Sequence, residues 1–333
     1  MNLFVSKNDL NRWLDSLIKE HTVIAPVQVQ GQTVFQPISK AESCQLSAIS
    51  NTALSPKGWF LPPTETLFSV QRDDGHVELV PARVEQDAVL FGLHPCDARG
   101  IALMDAPFLQ EPSDALYRER RSRTALIGLA CRQAQPECFC TSMGSAPDDP
   151  SNVDILLTEV EDGYIIQAVT EKGKDLLPKG LKEYKGKVPA PPKLQTIPTK
   201  EVVSAMKELF NDPYWEQVAD RCLHCNICAY VCPTCYCFDI RDYADKEKVE
   251  RVRSWESCQS RGFSLTAGGY DPRTTKGERL RQRFYHKLLY FPEQFQDVAC
   301  VGCGRCVRDC PVNIDIREVI NNLQRAMEAK SGS

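Results

Sequence analysis

The chain has 333 residues, 42% of them hydrophobic and 25% charged, and a formal net charge of -4. That length and balance suit two globular domains with buried cores and exclude bulk disorder, while the weak net charge excludes a global basic field. No run of about 18 uncharged apolar residues and no export-signal pattern occurs, so no nucleic acid and no membrane is an expected partner, and a cytoplasmic location is expected.

Residues 6–20 (SKNDLNRWLDSLIKE) place Leu10, Trp13, Leu14, Leu17 and Ile18 on one helical face behind a Ser6/Asp9 capping pattern. From about 22 to 95 the text turns to short β-rich runs such as TVIAPVQV and HVELVPARV, punctuated by Gly, Pro and Asp-Gly. AVLFGLHPC (88–96) and TALIGLAC (124–131) are continuous apolar stretches, the pattern of buried parallel strands, and each ends in a cysteine. DILLTEVEDGYIIQAVT (154–170) reads as a hairpin turning at Asp162 and Gly163.

These features predict an α+β N-terminal domain with a partly parallel sheet over residues 1–177. A Pro- and Lys-rich stretch, 178–198, has the composition of an extended linker. Beyond it, 199–333 is expected to be a mainly α-helical two-cluster ferredoxin domain, with helical period in 200–222 and around 238–254, 277–290 and 312–328.

Sixteen cysteines in a chain without an export signal point to metal or cluster ligation in a reducing compartment, and spacing decides which. RCLHCNICAYVCP places Cys222, Cys225, Cys228 and Cys232 in the C-x2-C-x2-C-x3-C-P pattern of two-cluster bacterial ferredoxins. ACVGCGRCVRDCP repeats the pattern with Cys300, Cys303, Cys306 and Cys310. Because the fourth cysteine of each run ligates the other cluster in such ferredoxins, Cys222, Cys225, Cys228 and Cys310 are assigned to one [4Fe-4S] cube. Cys300, Cys303, Cys306 and Cys232 are assigned to its neighbour. Structural zinc is the rival reading, but zinc sites usually take ligands in two well-separated pairs and not four within so short a run. The 67 residues between Cys232 and Cys300 exceed what a minimal ferredoxin needs and predict an insertion within a helical domain.

A looser constellation is formed by Cys96 in HPCDARG, Cys131 in LACRQ, and Cys138 with Cys140 in PECFCTSMG. If the two apolar strands are parallel neighbours, Cys96 and Cys131 emerge at one carboxyl edge of the sheet, with Cys138 and Cys140 within a loop's reach. Four thiolates there would hold a third [4Fe-4S] cluster; buried apolar cysteines and a zinc site are the alternatives. Cys235, Cys237 and Cys258 read as buried small residues or as neighbours tuning a cube. Cys44 is solitary.

The basic run Arg273, Lys276, Arg279, Arg281, Arg283 and Lys287 is either a solvated helix face, a set of counter-charges for the clusters, or a dock for an acidic partner. His94 and His224 adjoin cysteines and read as supporting or core histidines, not ligands. No dinucleotide fingerprint, P-loop, zinc-protease helix or serine nucleophile elbow is found, so no catalytic residue is assigned.

HPCDARGI, CRQAQPECFCTSMG, RCLHCNICAYVCPTCYCFD, the run from SWESCQ through AGGYDPR to RLRQRFYHK, and CVGCGRCVRDCP resemble the iron-sulfur protein family shared by anaerobic sulfite reductases and, as the beta subunit, by cytoplasmic NAD(P)-linked nickel-iron sulfhydrogenases, over about residues 60–325. The resemblance implies a non-catalytic component relaying electrons between a flavin- and NAD(P)-binding diaphorase, itself carrying a [2Fe-2S] cluster, and a catalytic unit. That unit would be a nickel-iron hydrogenase pair, the leading expectation, or a sirohaem sulfite reductase; complexes linked to heterodisulfide reductase are a third setting. A different class of reading is an autonomous sulfur reductase using the N-terminal cysteines.

Overall fold

The computed structural model describes residues 2–47, 51–73, 76–199, 203, 206–245 and 248–331. Eight strands organise the N-terminal half: β1 (Leu3–Ser6), β2 (Thr22–Val29), β3 (Gln32–Pro37), β6 (Ala88–Leu93), β7 (Thr124–Leu129), β8 (Ile155–Val160), β9 (Gly163–Ala168) and the two-residue β10 (Lys182–Glu183). They form one sheet in the order β10-β1-β9-β8-β7-β6-β2-β3. β2, β6, β7 and β8 pair in parallel, and the remaining pairs are antiparallel, so the sheet is partly parallel as expected.

The two apolar runs are β6 and β7, paired in parallel and buried along their whole length. Both sheet faces are covered. Val89, Phe91, Ala125 and Ile127 pack into one core with Trp13 and Leu14 of helix α1 (Lys7–Glu20), while Ala88, Leu90 and Leu126 pack into another with Ala98, Ile101 and Met104 of α2 (Pro95–Leu109). A strand buried on both faces has no polar side to display, which is why these sequences do not alternate. Ser6 caps α1 by accepting from the Asp9 N–H at 3.1 Å, and the β8–β9 hairpin turns at Glu161 and Asp162.

The stretch 238–254, expected to be helical, is instead a hairpin of β11 (Phe238–Ala244) and β12 (Lys248–Trp255). It joins β4 (Thr64–Asp73) and β5 (His76–Pro81) in a second sheet, order β11-β12-β4-β5, built from strands on both sides of residues 178–198. Arg253 of β12 anchors this sheet: it is 1% exposed, its Nε donates to Glu65 of β4 at 3.0 Å, and Arg120 of α3 (Ala115–Arg123) donates to the same carboxylate at 2.7 Å. A buried guanidinium needs such paired acceptors to offset its desolvation.

The C-terminal core packs Trp215 of α4 (Tyr214–Asp220), Leu280 and Phe284 of α5 (Lys276–Tyr285), and Ile316, Val319, Ile320 and Leu323 of α6 (Ile316–Ser331). Thr275 and Glu278 form a reciprocal capping box at the start of α5. Of the helix expected over 200–222, residue 203 is helical and residues from 206 onward are turns followed by α4, while residues 200–202 and 204–205 lie outside the described residues. The stretch 178–198 is seated on the fold: Lys182 and Glu183 pair with β1, and Ile197 is 3% exposed within the C-terminal core.

Candidate iron-sulfur centres

Three cavities in a row are lined by the cysteines that spacing grouped. The first is lined by Cys222, Cys225, Cys228 and Cys310, the second by Cys232, Cys300, Cys303 and Cys306, and the third by Cys96, Cys131, Cys138 and Cys140. Cys306 also lines the first cavity and Cys303 also lines the third, so the middle cavity adjoins both others through one of its own cysteines. Cys232 and Cys310 reach across between the two motifs, the crossed arrangement of two-cluster ferredoxins.

Local backbone chemistry makes these cradles. His224, Asn226, Gly302 and Gly304 all have positive φ, which curls each two-residue gap so that main-chain N–H groups turn inward. The His224 N–H points to Cys222 Sγ at 3.4 Å and the Ile314 N–H to Cys310 Sγ at 3.2 Å, while Gln259 Nε2 donates to Cys228 Sγ at 3.2 Å. Gly302 and Gly304 also let the second motif lie against the Cys138/Cys140 loop. A Cβ on Gly302 would stand 2.5 Å from the Phe139 carbonyl carbon, one on Gly304 would stand 2.6 Å from Glu137 Cβ, and the Phe139 N–H donates to Gly302 O at 2.8 Å.

In the third cavity, Cys96 opens α2 directly after β6 and Cys131 follows β7, so the parallel pair delivers both thiols to one sheet edge. His94 and Asn51 line the same cavity. His94 Nδ1 lies 3.1 Å from Leu129 O and 3.3 Å from Cys131 Sγ; Asn51 Nδ2 donates to Cys303 O at 2.8 Å. His224 lines the first cavity, its Nδ1 3.4 Å from Gln259 O. Cys44 packs against the N-terminal core, away from all three.

The chemistry of the donor sets, four thiols about each cavity, is compatible with cubanes. Among the described residues no group of three or more His, Cys, Asp or Glu side chains is placed to hold a single metal ion, and each set of four thiols lines one cavity. Buried cations face these voids. Arg283 lines the first and second, is 3% exposed, donates through Nη2 to Cys228 O at 3.1 Å, and has a buried Nε with no acceptor among the described residues. Lys287 lines the second and donates from Nζ to Cys232 Sγ at 3.2 Å. Burial opposes the charge of Lys287, but negative charge on the neighbouring cysteines, Cys232 foremost, more than offsets it and holds its pKa above the ordinary value. Burial also pushes the Cys300 thiol up to about 11 and those of Cys303 and Cys306 to about 12. Only an electrophile such as iron would draw these thiols into the thiolate form near neutrality.

The basic run thus divides: Arg283 and Lys287 turn into the cavities, Arg279 is buried and bonds to Arg273 O and Thr274 O, and Arg281 lies over the Phe210 ring, 3.7 Å from its centroid. Sequence reasoning missed Asn51, Lys57, Asp97, Gln259 and Arg305. Arg305, between two motif cysteines, and Asp97, beside Cys96, carried a signal in their opposite charges; Lys57 and Asn51 carried none.

Comparison with known proteins agrees with this geometry. Residues 221–314 match the family model of the 4Fe-4S dicluster domain. The match covers both ferredoxin-type motifs together with the β11–β12 hairpin inserted between them. Around the dicluster domain the likeness extends over the chain: it is 29% identical over 322 residues to the sulfhydrogenase 2 subunit beta of Pyrococcus furiosus, covering 92% of this chain and 93% of the relative. The chain is a homologue of that protein, which is consistent with an iron-sulfur subunit of hydrogenase-type complexes. No solved structure matches. Among the described residues no helix is long and apolar enough to cross a membrane.

Proposed function

We propose that the chain is a cytoplasmic electron-transfer subunit that relays electrons through three [4Fe-4S] clusters, between a nickel-iron hydrogenase unit and a flavin- and NAD(P)-binding diaphorase. Cys222, Cys225, Cys228 and Cys310 hold the first cube, Cys300, Cys303, Cys306 and Cys232 the second, and Cys96, Cys131, Cys138 and Cys140 the third. The observation that carries this reading is the sharing of cysteines: Cys306 lines two adjoining cavities and Cys303 the next two. Neighbouring sites that share wall residues are close enough for electrons to pass without a diffusing carrier.

When bound, such clusters supply one-electron redox chemistry over a wide range of potentials. The chain's own residues hold them, exclude water from them and offset their charge. Arg283 and Lys287 are 3% and 1% exposed, and their fixed charges favour the state with one more electron. The homologue's name as a sulfhydrogenase beta subunit supports the choice of a hydrogenase partner. Functionally, residues 199–333 are the two-cluster unit, 1–177 carry the third site, and 178–198 connect them.

The test is to purify the native complex anaerobically, identify its subunits by mass spectrometry, and follow the clusters by electron paramagnetic resonance after adding NAD(P)H. Co-purification with a diaphorase and a nickel-iron pair, and cluster reduction by NAD(P)H, are expected. A sirohaem partner would move the chain to the sulfite reductase branch, and clusters refractory to every donor of the complex would overturn the relay. Viologen-driven turnover of polysulfide by the isolated chain would also contradict it.

A further inference from the structure

Besides Cys44, three cysteines, Cys235, Cys237 and Cys258, stand outside these three cavities. Cys237 directly precedes β11 and Cys258 closely follows β12. Phe238 is paired with Trp255, and the Glu256 N–H donates to Cys237 O at 2.9 Å, so the hairpin holds its two ends together. The Cys237 and Cys258 thiols are hydrogen-bonded to one another, and the Cys258 main-chain N–H is also directed at Cys237. Both side chains are half-buried. Cys235, two residues before Cys237, bonds to Cys232, which lines the middle cavity. Lys57 reinforces the site from the other half of the chain: 2% exposed, its Nζ donates to Cys235 O at 2.9 Å and to Ala229 O at 3.2 Å.

We propose that Cys237 and Cys258 are a redox-active dithiol/disulfide pair that exchanges two electrons with the cubes, turning a one-electron relay into a two-electron store. The Phe238–Trp255 pairing and the 2.9 Å bond from the Glu256 N–H to Cys237 O hold the two cysteines at the closed ends of one hairpin, where a disulfide between them is favoured over ligation of a cubane. A partly open position lets protons reach them from solvent, and restricted access protects the disulfide from bulk thiols. In the reductive direction the Cys237–Cys258 sulfur–sulfur bond breaks, the two sulfurs gain two electrons and two protons, and two thiols result. The electrons come one each from two reduced [4Fe-4S] clusters, which are oxidised, and the protons from water; oxidation reverses each transfer.

This proposal rests on the relay reading, but its test does not need electron flow through the complex. The purified holo-chain is equilibrated across a series of reduced and oxidised dithiothreitol buffers, acid-quenched and alkylated, and its peptides are mapped by mass spectrometry. One Cys237–Cys258 disulfide is expected, appearing with a two-electron dependence on buffer potential while iron content stays constant. Cys237→Ser and Cys258→Ser should each abolish it, leave the partner alkylatable and keep the iron of the parent chain. Both thiols remaining alkylatable throughout would overturn the proposal, as would a disulfide to Cys235. Loss of about four irons in Cys237→Ser would also overturn it, since it would make Cys237 a cluster ligand. Failure of NAD(P)H to reduce the clusters would sink the relay while leaving this titration unchanged.

Discussion

Arg305 and Asp97 are joined by a bidentate ion pair, Nη1 to Oδ1 at 2.6 Å and Nη2 to Oδ2 at 3.0 Å, with side chains 0% and 1% exposed. Arg305 lies between Cys303 and Cys306, and Asp97 directly follows Cys96, so the pair ties the middle cavity to the third. Removing one partner of a buried pair strands the other charge and typically costs about 3–5 kcal/mol. Asp97→Asn and Arg305→Met should therefore each shift the denaturant midpoint strongly downward. Asp97→Leu combined with Arg305→Met should be less destabilised than Arg305→Met alone. Single variants with the parent midpoint would refute this account of the junction.

Lys287 bears on a ligand of the middle site through its 3.2 Å bond to Cys232 Sγ. A cation beside a cluster favours its reduced state, which carries one more negative charge. Lys287→Met should lower the reduction potential of one cluster while iron content is retained, and Lys287→Arg should recover part of the loss. A redox titration monitored by electron paramagnetic resonance reads both, and an unchanged potential in Lys287→Met would contradict the assignment.

Gly302 has φ +63 and faces the Phe139 main chain, and Gly304 has φ +78 and faces Glu137. Positive φ alone disfavours a side chain by about 1–2 kcal/mol, and here the added methyl meets main-chain atoms that cannot rotate away. Gly302→Ala should lower the melting temperature and reduce iron in the middle and third sites together. Full iron with parent stability would mean that the Cys138/Cys140 loop does not depend on this close approach.

Burial raises three of the four thiols of the middle site, Cys300 to about 11 and Cys303 and Cys306 to about 12. Protons therefore compete with iron for these ligands, and a rise in pH favours iron. Iron uptake by the unfilled chain under sulfide should keep accelerating above about pH 8.5, where an ordinary cysteine is already half ionised. Uptake that levels off there, followed by stopped-flow absorbance, would argue against proton-limited assembly.

Much of the site was legible because cluster ligation demands a fixed spacing, and eight cysteines in two matching runs display it. The apolar runs at β6 and β7 were equally plain, since a strand buried on both faces has no other composition open to it. The hairpin over 238–255 was not. Its first strand is exposed along most of its length, and its charges Arg241, Asp242, Glu250 and Arg251 read as a helix surface. What makes it a strand pair is β4, which lies far away in the sequence and contributes Glu65 to Arg253. The roles of Lys57 and Asn51 were hidden for the same reason, because each acts on a cysteine loop more than 170 residues away, Lys57 on Cys235 and Asn51 on Cys303.

The most direct test of the three-cube relay is the iron and acid-labile sulfide content of the anaerobically purified chain, taken alongside its zinc. About twelve irons and about twelve sulfides per chain are predicted, falling by about four of each in Cys131→Ser. About eight irons in the parent chain, unchanged in that variant, would contradict the third cube; stoichiometric zinc in place of iron would contradict the relay itself.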